Sequence, residues 1–448
     1  MYLIDMAGQV VNYWAEFSDA YLLEDGTMFG AKGSDTFAQA DWDGNILWQH
    51  TETRIGYDPH HDFLRIYNSE LEDYTVLYIA NAPLTHDEVI ALGADPGLAA
   101  SYDGAQMDTI VEVDRNGDVI WEWRFRDHLV QDIDATKNNY VGHGQTIEDF
   151  PQRLDINWGA VSADSLHCNG LDYNPELGQI AISSNRTHEI YIIDHDETFV
   201  AGDAEESVSL AASEAGDFLY RFGNPANYGQ GEYPYYAKKN WSSLEYSGHK
   251  QIGGNHDIQW IKEGLPGAGH LLLFNNGLTV PRSQGDSDPQ SEFLELNPYL
   301  DGEGVDQGHY VNPPKAGYVS AMPGSNNPLG ASQPRVTRLY SRQIVAGYQT
   351  TDGFNSHHGS AVQRMPNGNT LVQLARVGRM LEITPRGEVV WEYVNPVTLN
   401  SGIVTTRITS EHESTFAGWS PVRYPPDFPG LEGKDLTPKG PITNFHDE

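Results

Sequence analysis

Four histidines, His61, His167, His256 and His358, each open a short apolar run at about the same distance before a turn. One histidine at such a place usually does no more than cap a strand. Four in one register point to side chains that converge. A neutral imidazole is a competent nucleophile near pH 7 and can also carry protons. Polar neighbours stand beside or near them: His60, Asn169, Asn255 and His357. Arg186, preceded by Asn185, follows the second strand after His167, and Arg376 stands nearly at the equivalent place after His358. A planar guanidinium clamps an oxyanion through two hydrogen bonds, so imidazoles with an arginine suit transfer or recognition of an anionic group.

The elements that would position these side chains form an internal repeat. One half is a strand, a glycine turn and a strand ending in an aromatic residue. It occurs as Tyr2–Trp14, Phe37–Trp48, Ile110–Trp121 and Leu381–Trp391, with a degenerate copy at Tyr191–Asp194 followed by Gly216–Tyr220. Period-2 alternation with Asn-Gly or Asp-Gly corners predicts hairpins with two-residue turns, because glycine tolerates positive φ there. The other half begins at each histidine: His61 to Ile79, His167 to Ser183, His256 to Phe274 and His358 to Val372. Tyr21 to Phe29 is the same hairpin without a histidine.

Joined, the halves make a four-stranded unit, which predicts an all-β protein with a β-propeller fold. Five units are visible. A sixth blade would arise by pairing of the N-terminal strands with strand-like stretches of Gly402–Ser420, which also hides strand edges. The reading adopted is a single propeller domain over 1–448 with six blades, seven being the other count. Insertions at about 83–106, 128–163, 223–254 and 297–352 would then be loops over one face. The strand after each histidine would be innermost, so the four imidazoles would meet around a central channel.

Composition agrees. The 448 residues include 45 Gly and 25 Pro, as many short strands joined by tight turns require. Asp and Glu total 63 against 27 Lys and Arg, a formal net charge of -36. That charge argues against nucleic acid or anionic lipid as partner. An anionic substrate would need the few cations gathered at its site. No apolar run approaches the ~18 residues of a membrane helix. Cys168 is the one cysteine, so no disulfide can form within the chain. No signal peptide is visible; the chain opens on the strand Tyr2-Leu-Ile-Asp5, and a preceding segment is expected to have been removed or left out.

The motifs resemble those of the bacterial arylsulfate sulfotransferases along nearly the whole chain. They are Tyr2-Leu-Ile-Asp5 with Gly8-Gln-Val-Val11, His60-His61-Asp62, and His167-Cys-Asn-Gly-Leu-Asp-Tyr-Asn-Pro-Glu-Leu177. Further along come Leu219-Tyr-Arg-Phe-Gly-Asn-Pro225, Asn255-His-Asp257, Leu265 to Asn276, Pro366 to Thr370 and Gly387 to Pro396. Arg423 to Leu431 and Asp435 to Pro438 complete the set. The resemblance implies a six-bladed propeller that moves a sulfuryl group from an aryl sulfate to a phenolic acceptor in a ping-pong cycle, with no nucleotide donor and no cofactor. It makes His256 the nucleophile, has His61 and His167 hydrogen-bond the sulfuryl oxygens and exchange protons, and assigns charge stabilisation to the arginine after the second strand, here Arg186. It also implies a secreted or periplasmic setting. Two departures are visible: Asn185 stands where the family places its arginine, and one cysteine cannot supply the family's disulfide near the nucleophile. His357, His358 and Arg376 lie in a blade where the family does not lead one to expect them.

The same residues serve two other readings. A propeller polysaccharide lyase acting on a uronate-containing glycan, sulfated or not, needs a cation to neutralise the carboxylate and a His or Tyr to move the C5 proton. Arg186, Arg376, the histidines and Tyr233, Tyr235 or Tyr236 would supply these. A ligand-binding or metal-holding propeller is the third reading, with Asp62 and Asp257 bracing the histidines. No local HxH or HxxxH pair supports a metal, and none is expected.

Overall fold

The computed structural model describes residues 1–99, 104–158, 164–230, 250, 252–277, 291–299, 306–310, 336–338, 356–397 and 420–445. The protein is all-β and of the β-propeller class. Its described residues form five four-stranded antiparallel sheets, the blades, together with two small two-stranded sheets. The count differs from the six blades expected from sequence. The N-terminal strands Tyr2–Ile4 and Val10–Tyr13 make a two-stranded sheet of their own. Val10 also exchanges backbone hydrogen bonds with Lys439 and Gly440, each 2.8 Å. Residues 402–419 of the segment expected to complete a sixth blade lie outside the described residues, as do 100–103, 159–163, 231–249 and most of 297–352 of the expected loop insertions.

The chain divides into two compact units. One, Arg54–Glu263 with Gly267–Arg338, holds three blades. They run Asp58–Asn68, Asp73–Leu84, Ala105–Val113, Val119–Arg124; then Cys168–Asn174, Gln179–Ser184, Glu189–Asp194, Tyr220–Phe222; then His256–Trp260, Leu271–Asn275, Glu292–Leu296, Val336–Arg338. Each blade pairs its strands in chain order, as consecutive hairpins must. Between the first and second blades Trp121, Trp123, Phe125 and Tyr191 are fully buried together with Ile182 and Phe218. Ile190, Tyr220, Leu271 and Leu294 fill the space between the second and third. Burying each such side chain is worth roughly 1.5–3 kcal/mol.

The other unit, Met1–Thr53 with Gly264–Pro266 and Leu339–Glu448, holds two blades. These run Asp19–Leu22, Met28–Ala31, Thr36–Ala40, Ile46–Thr51 and Ala361–Arg364, Thr370–Leu374, Arg379–Ile383, Val389–Val394.

The glycine corners are present, but not as two-residue turns. At Asp41–Asn45 the Gly44 N–H donates to the Asp41 carbonyl at 3.1 Å and the Asp41 N–H to the Asn45 carbonyl at 3.0 Å. Gly44 adopts φ 87°. Asp114–Asp118, Asp5–Gln9 and Thr384–Glu388 repeat this pattern. The loop is thus a tight turn closed by a left-handed glycine, with one more residue than expected. The leading aspartate explains the difference. Asp114 Oδ1 accepts from the N–H groups of Asn116 and Asp118 at 2.8 and 2.9 Å, satisfying donors that a shorter turn would not present.

Candidate active site

In the three-blade unit neighbouring blades are fastened to one another by side chains that bond to backbone. Asp62 Oδ2 accepts the Leu171 N–H at 2.8 Å, and Asp172 Oδ2 accepts the Trp260 N–H at 2.7 Å. The Asn169 amide donates to the Asn255 carbonyl at 2.9 Å while its oxygen accepts from the Ser183 hydroxyl at 2.8 Å. Asn255, fully buried, donates to the Glu189 carbonyl at 3.0 Å. Asn169 and Asn255, singled out in the sequence for their neighbours, therefore tie strands together here.

This bracing gathers the histidines at the starts of those strands. The rings of His61 and His167 lie 4.6 Å apart between centroids, and those of His60 and His167 6.4 Å. His60 and His61 touch through their Nδ1 atoms at 2.8 Å. His256, only 5% exposed, is near enough for its charge to be felt at His61.

The local backbone is unusual. His61 and His167 adopt left-handed φ of 58° and 51°, and in the third blade the left-handed residue is Asp257 at 55°. His256 therefore stands one position before the place that His61 and His167 occupy, so the shared register read from sequence is offset by one in that blade. Such conformations cost a non-glycine residue of order 1–3 kcal/mol and persist where surrounding bonds impose them. Each strand also carries a pairing slip at its histidine: between Pro59 and Phe63, between Cys168 and Gly170, and between His256 and Gln259. Slips of this kind re-aim side chains that a regular strand would send to alternate faces.

Each imidazole has a defined partner. His256 Nδ1 lies 2.8 Å from the Gly254 carbonyl and 2.7 Å from Asn276 Oδ1. A carbonyl can only accept, so Nδ1 carries a proton and, in the neutral ring, Nε2 carries the lone pair. The Gly254 N–H in turn donates to His188 Nδ1 at 2.9 Å. Burial first, then Lys250 and Arg186, hold His188 well below its ordinary range, as this acceptor role requires. Lys250, 3% exposed, is itself pushed down to about 7 by burial.

Asp164 organises His167 and the arginine. Its Oδ2 accepts from His167 Nδ1 at 2.7 Å and from the Arg186 guanidinium at 3.4 Å. The His167 hydrogen bond is the main cause holding the Asp164 carboxyl below its usual range. Arg186 occupies the turn after Gln179–Ser184 with its side chain 59% exposed. Asn185 precedes it and donates its N–H to the His167 carbonyl at 3.1 Å.

His61 is strongly perturbed. Burial and then the imidazoles of His60, His167 and His256 depress it to about 3, against an opposing pull from Asp164. It is neutral throughout the physiological range.

His357, His358 and Arg376 belong to the two-blade unit. Arg376 lies in a single turn, Ala375–Val377, and its N–H donates to Ser356 Oγ at 3.1 Å; Ser356 Oγ donates to the His358 carbonyl at 3.0 Å. His358 is exposed, and partial burial and the Arg376 charge lower its pKa. Tyr233, Tyr235 and Tyr236 lie outside the described residues.

Sequence reasoning missed Asp108, Asp164, His188 and Asn276. Asp108 leaves one trace, a carboxylate directly after Met107 in the strand Ala105–Val113, which also carries Glu112. The structure buries it to 1% exposure. Among the described residues no three His, Cys, Asp or Glu side chains stand together as a metal site would need. No helix among them is long and apolar enough to cross a membrane.

A propeller-class scaffold thus gathers imidazoles from three blades beside an arginine held by a carboxylate. The model of the arylsulfotransferase (ASST) family matches residues 1–295, and the chain belongs to that family. Membership makes it a transferase that moves sulfuryl groups from aryl sulfates to phenols.

A comparison with curated proteins finds no match. Among solved structures, a protein of unknown function from Bacteroides caccae is 12% identical, covering 84% of this chain and 80% of that one at a TM-score of 0.33. A putative glucose dehydrogenase-type oxidoreductase from Thermus thermophilus is 10% identical over 86% and 85%, at 0.38. Virginiamycin B lyase from Staphylococcus aureus is 9% identical over 86% and 73%, at 0.31. With TM-scores this low, none of the three informs fold or chemistry.

Proposed function

We propose that His256 carries the sulfuryl group between an aryl sulfate donor and a phenolic acceptor. The observation that supports this most is its bonding. With Nδ1–H held by the Gly254 carbonyl and Asn276, the nucleophilic lone pair sits on Nε2 of a buried, oriented ring.

In the first half of the cycle Nε2 forms a bond to sulfur as the sulfur–oxygen bond of the donor breaks, and the aryl oxygen leaves as phenolate. In the second half the acceptor phenol oxygen bonds to sulfur and its proton passes to Nε2 of His61. The nitrogen–sulfur bond breaks and its electron pair returns to His256. His61, neutral at rest, then gives that proton to water, and the phenolate released by the donor takes one up from water. His167, braced on Asp164, hydrogen-bonds a sulfuryl oxygen when its ring carries both protons, and Arg186 supplies positive charge. Positioning and charge stabilisation carry most of the work in such transfers.

The test is release of 4-nitrophenol from 4-nitrophenyl sulfate, with and without added phenol. Wild type should give a burst of about one equivalent without acceptor, and turnover with it. The sulfuryl adduct should map to His256 by peptide mass. His256→Asn should lower transfer by roughly 10⁴-fold or more. Full activity in that variant, with loss on substituting His358 alone, would move the nucleophile to another blade.

A further inference from the structure

We propose that Asp108, His60 and His61 form a proton-relay array in which Asp108 and His60 fix His61 as the proton acceptor of the cluster. This rests on the reading of His61 just given and adds two residues to it. Asp108 is buried on the third strand of the first blade, Ala105–Val113, and both of its oxygens are engaged. Oδ2 accepts the Cys168 N–H at 2.6 Å, fixing the residue next to His167. Oδ1 faces His60 Nε2 at 3.2 Å.

A proton count follows. An ionised carboxylate can only accept, so His60 bears its proton on Nε2. The relay takes His60 as neutral, with its single N–H spent on Asp108 and a lone pair left on Nδ1. The partner at 2.8 Å is His61 Nδ1, and two lone pairs cannot face each other at that distance. His61 therefore supplies the shared proton from Nδ1, and its lone pair lies on Nε2.

When His61 takes a proton from the acceptor phenol at Nε2, its Nδ1–H bond to His60 strengthens. The negative charge of Asp108 then balances the new imidazolium through the intervening ring. This is the logic of a carboxylate holding a catalytic histidine in one tautomer, extended by a second histidine. The left-handed backbone of His61 fits the array, because adjacent residues of a regular strand could not bring both Nδ1 atoms into contact. Asp108 acts as a positioning residue, and His61 exchanges the proton with substrate.

Asp108→Asn tests the idea with little change of shape. The asparagine oxygen can keep the Cys168 N–H bond while its amide turns a donor toward His60 Nε2. His60 must then carry its proton on Nδ1, and His61 is driven to the Nε2–H form with no lone pair for the phenol. The expected loss in kcat is roughly 10³–10⁴-fold, with the donor KM changed by less than about threefold. Nitrogen-15 NMR of the labelled protein should show His61 as Nδ1–H in wild type and Nε2–H in the variant.

His60→Asn, which keeps an oxygen acceptor near the position of Nδ1, should retain much more activity than His60→Leu. The proposal is overturned if wild-type His61 is found as Nε2–H, or if Asp108→Asn transfers sulfuryl within a few-fold of wild type. Should Asp108→Asn not fold, the wild-type tautomer and the His60 pair still decide. A wild type without sulfuryl transfer would refute the proposed function, while the tautomer measurement would judge the relay on its own terms.

Discussion

Asp62 Oδ2 accepts the backbone N–H of Leu171 at 2.8 Å, so the residue beside His61 in the first blade is bonded into the first strand of the second. Leu171 is 2% exposed, so its N–H depends on that carboxylate for a partner. Asp62→Ala is expected to destabilise the protein by about 1–3 kcal/mol in urea unfolding. It should also slow sulfuryl transfer, because the bond helps hold the left-handed turn that sets His61 against His167. Unchanged stability together with unchanged rate would refute this.

A second expectation concerns Gly170, whose place a methyl group would bring to 2.6 Å from Ser183 Oγ and to 2.9 and 3.0 Å from the backbone nitrogens of Ile258 and Asp257. The first strands of the second and third blades approach too closely there for any side chain. Gly170→Ala should lower the melting temperature and reduce kcat together, since His167 and His256 stand on the two strands pushed apart. Activity falling without a change in melting temperature would point to a different cause.

His61 gives a signed pH dependence. Its native pKa is depressed to about 3, whereas the unfolded chain titrates near the ordinary ~6.5. The unfolded state therefore binds the proton first, and stability falls as pH drops from about 6.5 toward 3. In His61→Gln that share of the acid sensitivity should vanish, read as a flatter plot of urea midpoint against pH. An NMR titration showing His61 protonated at pH 5 would contradict the burial argument.

His195 behaves in the opposite sense. Burial works against its charge, yet hydrogen bonds to Asp196 at 2.8 Å and Glu112 at 2.7 Å outweigh it and raise the pKa to about 9. The contribution is fully present below about 6.5 and is lost as pH rises through about 9. Glu112 is fully buried on the first blade and His195 follows the third strand of the second, so the pair joins neighbouring blades. His195→Leu strands the Glu112 carboxylate and should cost about 3–5 kcal/mol. If instead stability at pH 10 equals that at pH 6 in wild type, the pair is not ionised as described.

Much of the architecture could be read from the chain. The hairpin halves beginning at His61, His167 and His256 fold as expected, because period-2 alternation and glycine corners act locally. Among the described residues five blades stand against the six expected, since Tyr2–Ile4 and Val10–Tyr13 carry strand-like sequence whose partners no local pattern specifies. The turn length was also misjudged: Asp41 and Asp114 cap two donors each, an effect of side-chain geometry that spacing alone does not reveal. At the site, His60, His61, His167 and His256 were legible as repeated polar starts to apolar strands. Asp108, Asp164 and His188 were not. Each acts across a separation of strands or loops, and its meaning comes from the atom it faces after folding.

Cys168 sits between His167 and Asn169, fully buried, with burial and then Asp108 pushing its thiol well above the ordinary value. It is the chain's single sulfhydryl. An alkylating reagent can reach it only when the strand that carries His167 peels away, so the labelling rate becomes a stopwatch for that one local opening event. The blade that carries His167 thus contains its own reporter, which would separate a variant that loosens this strand from one that leaves it closed.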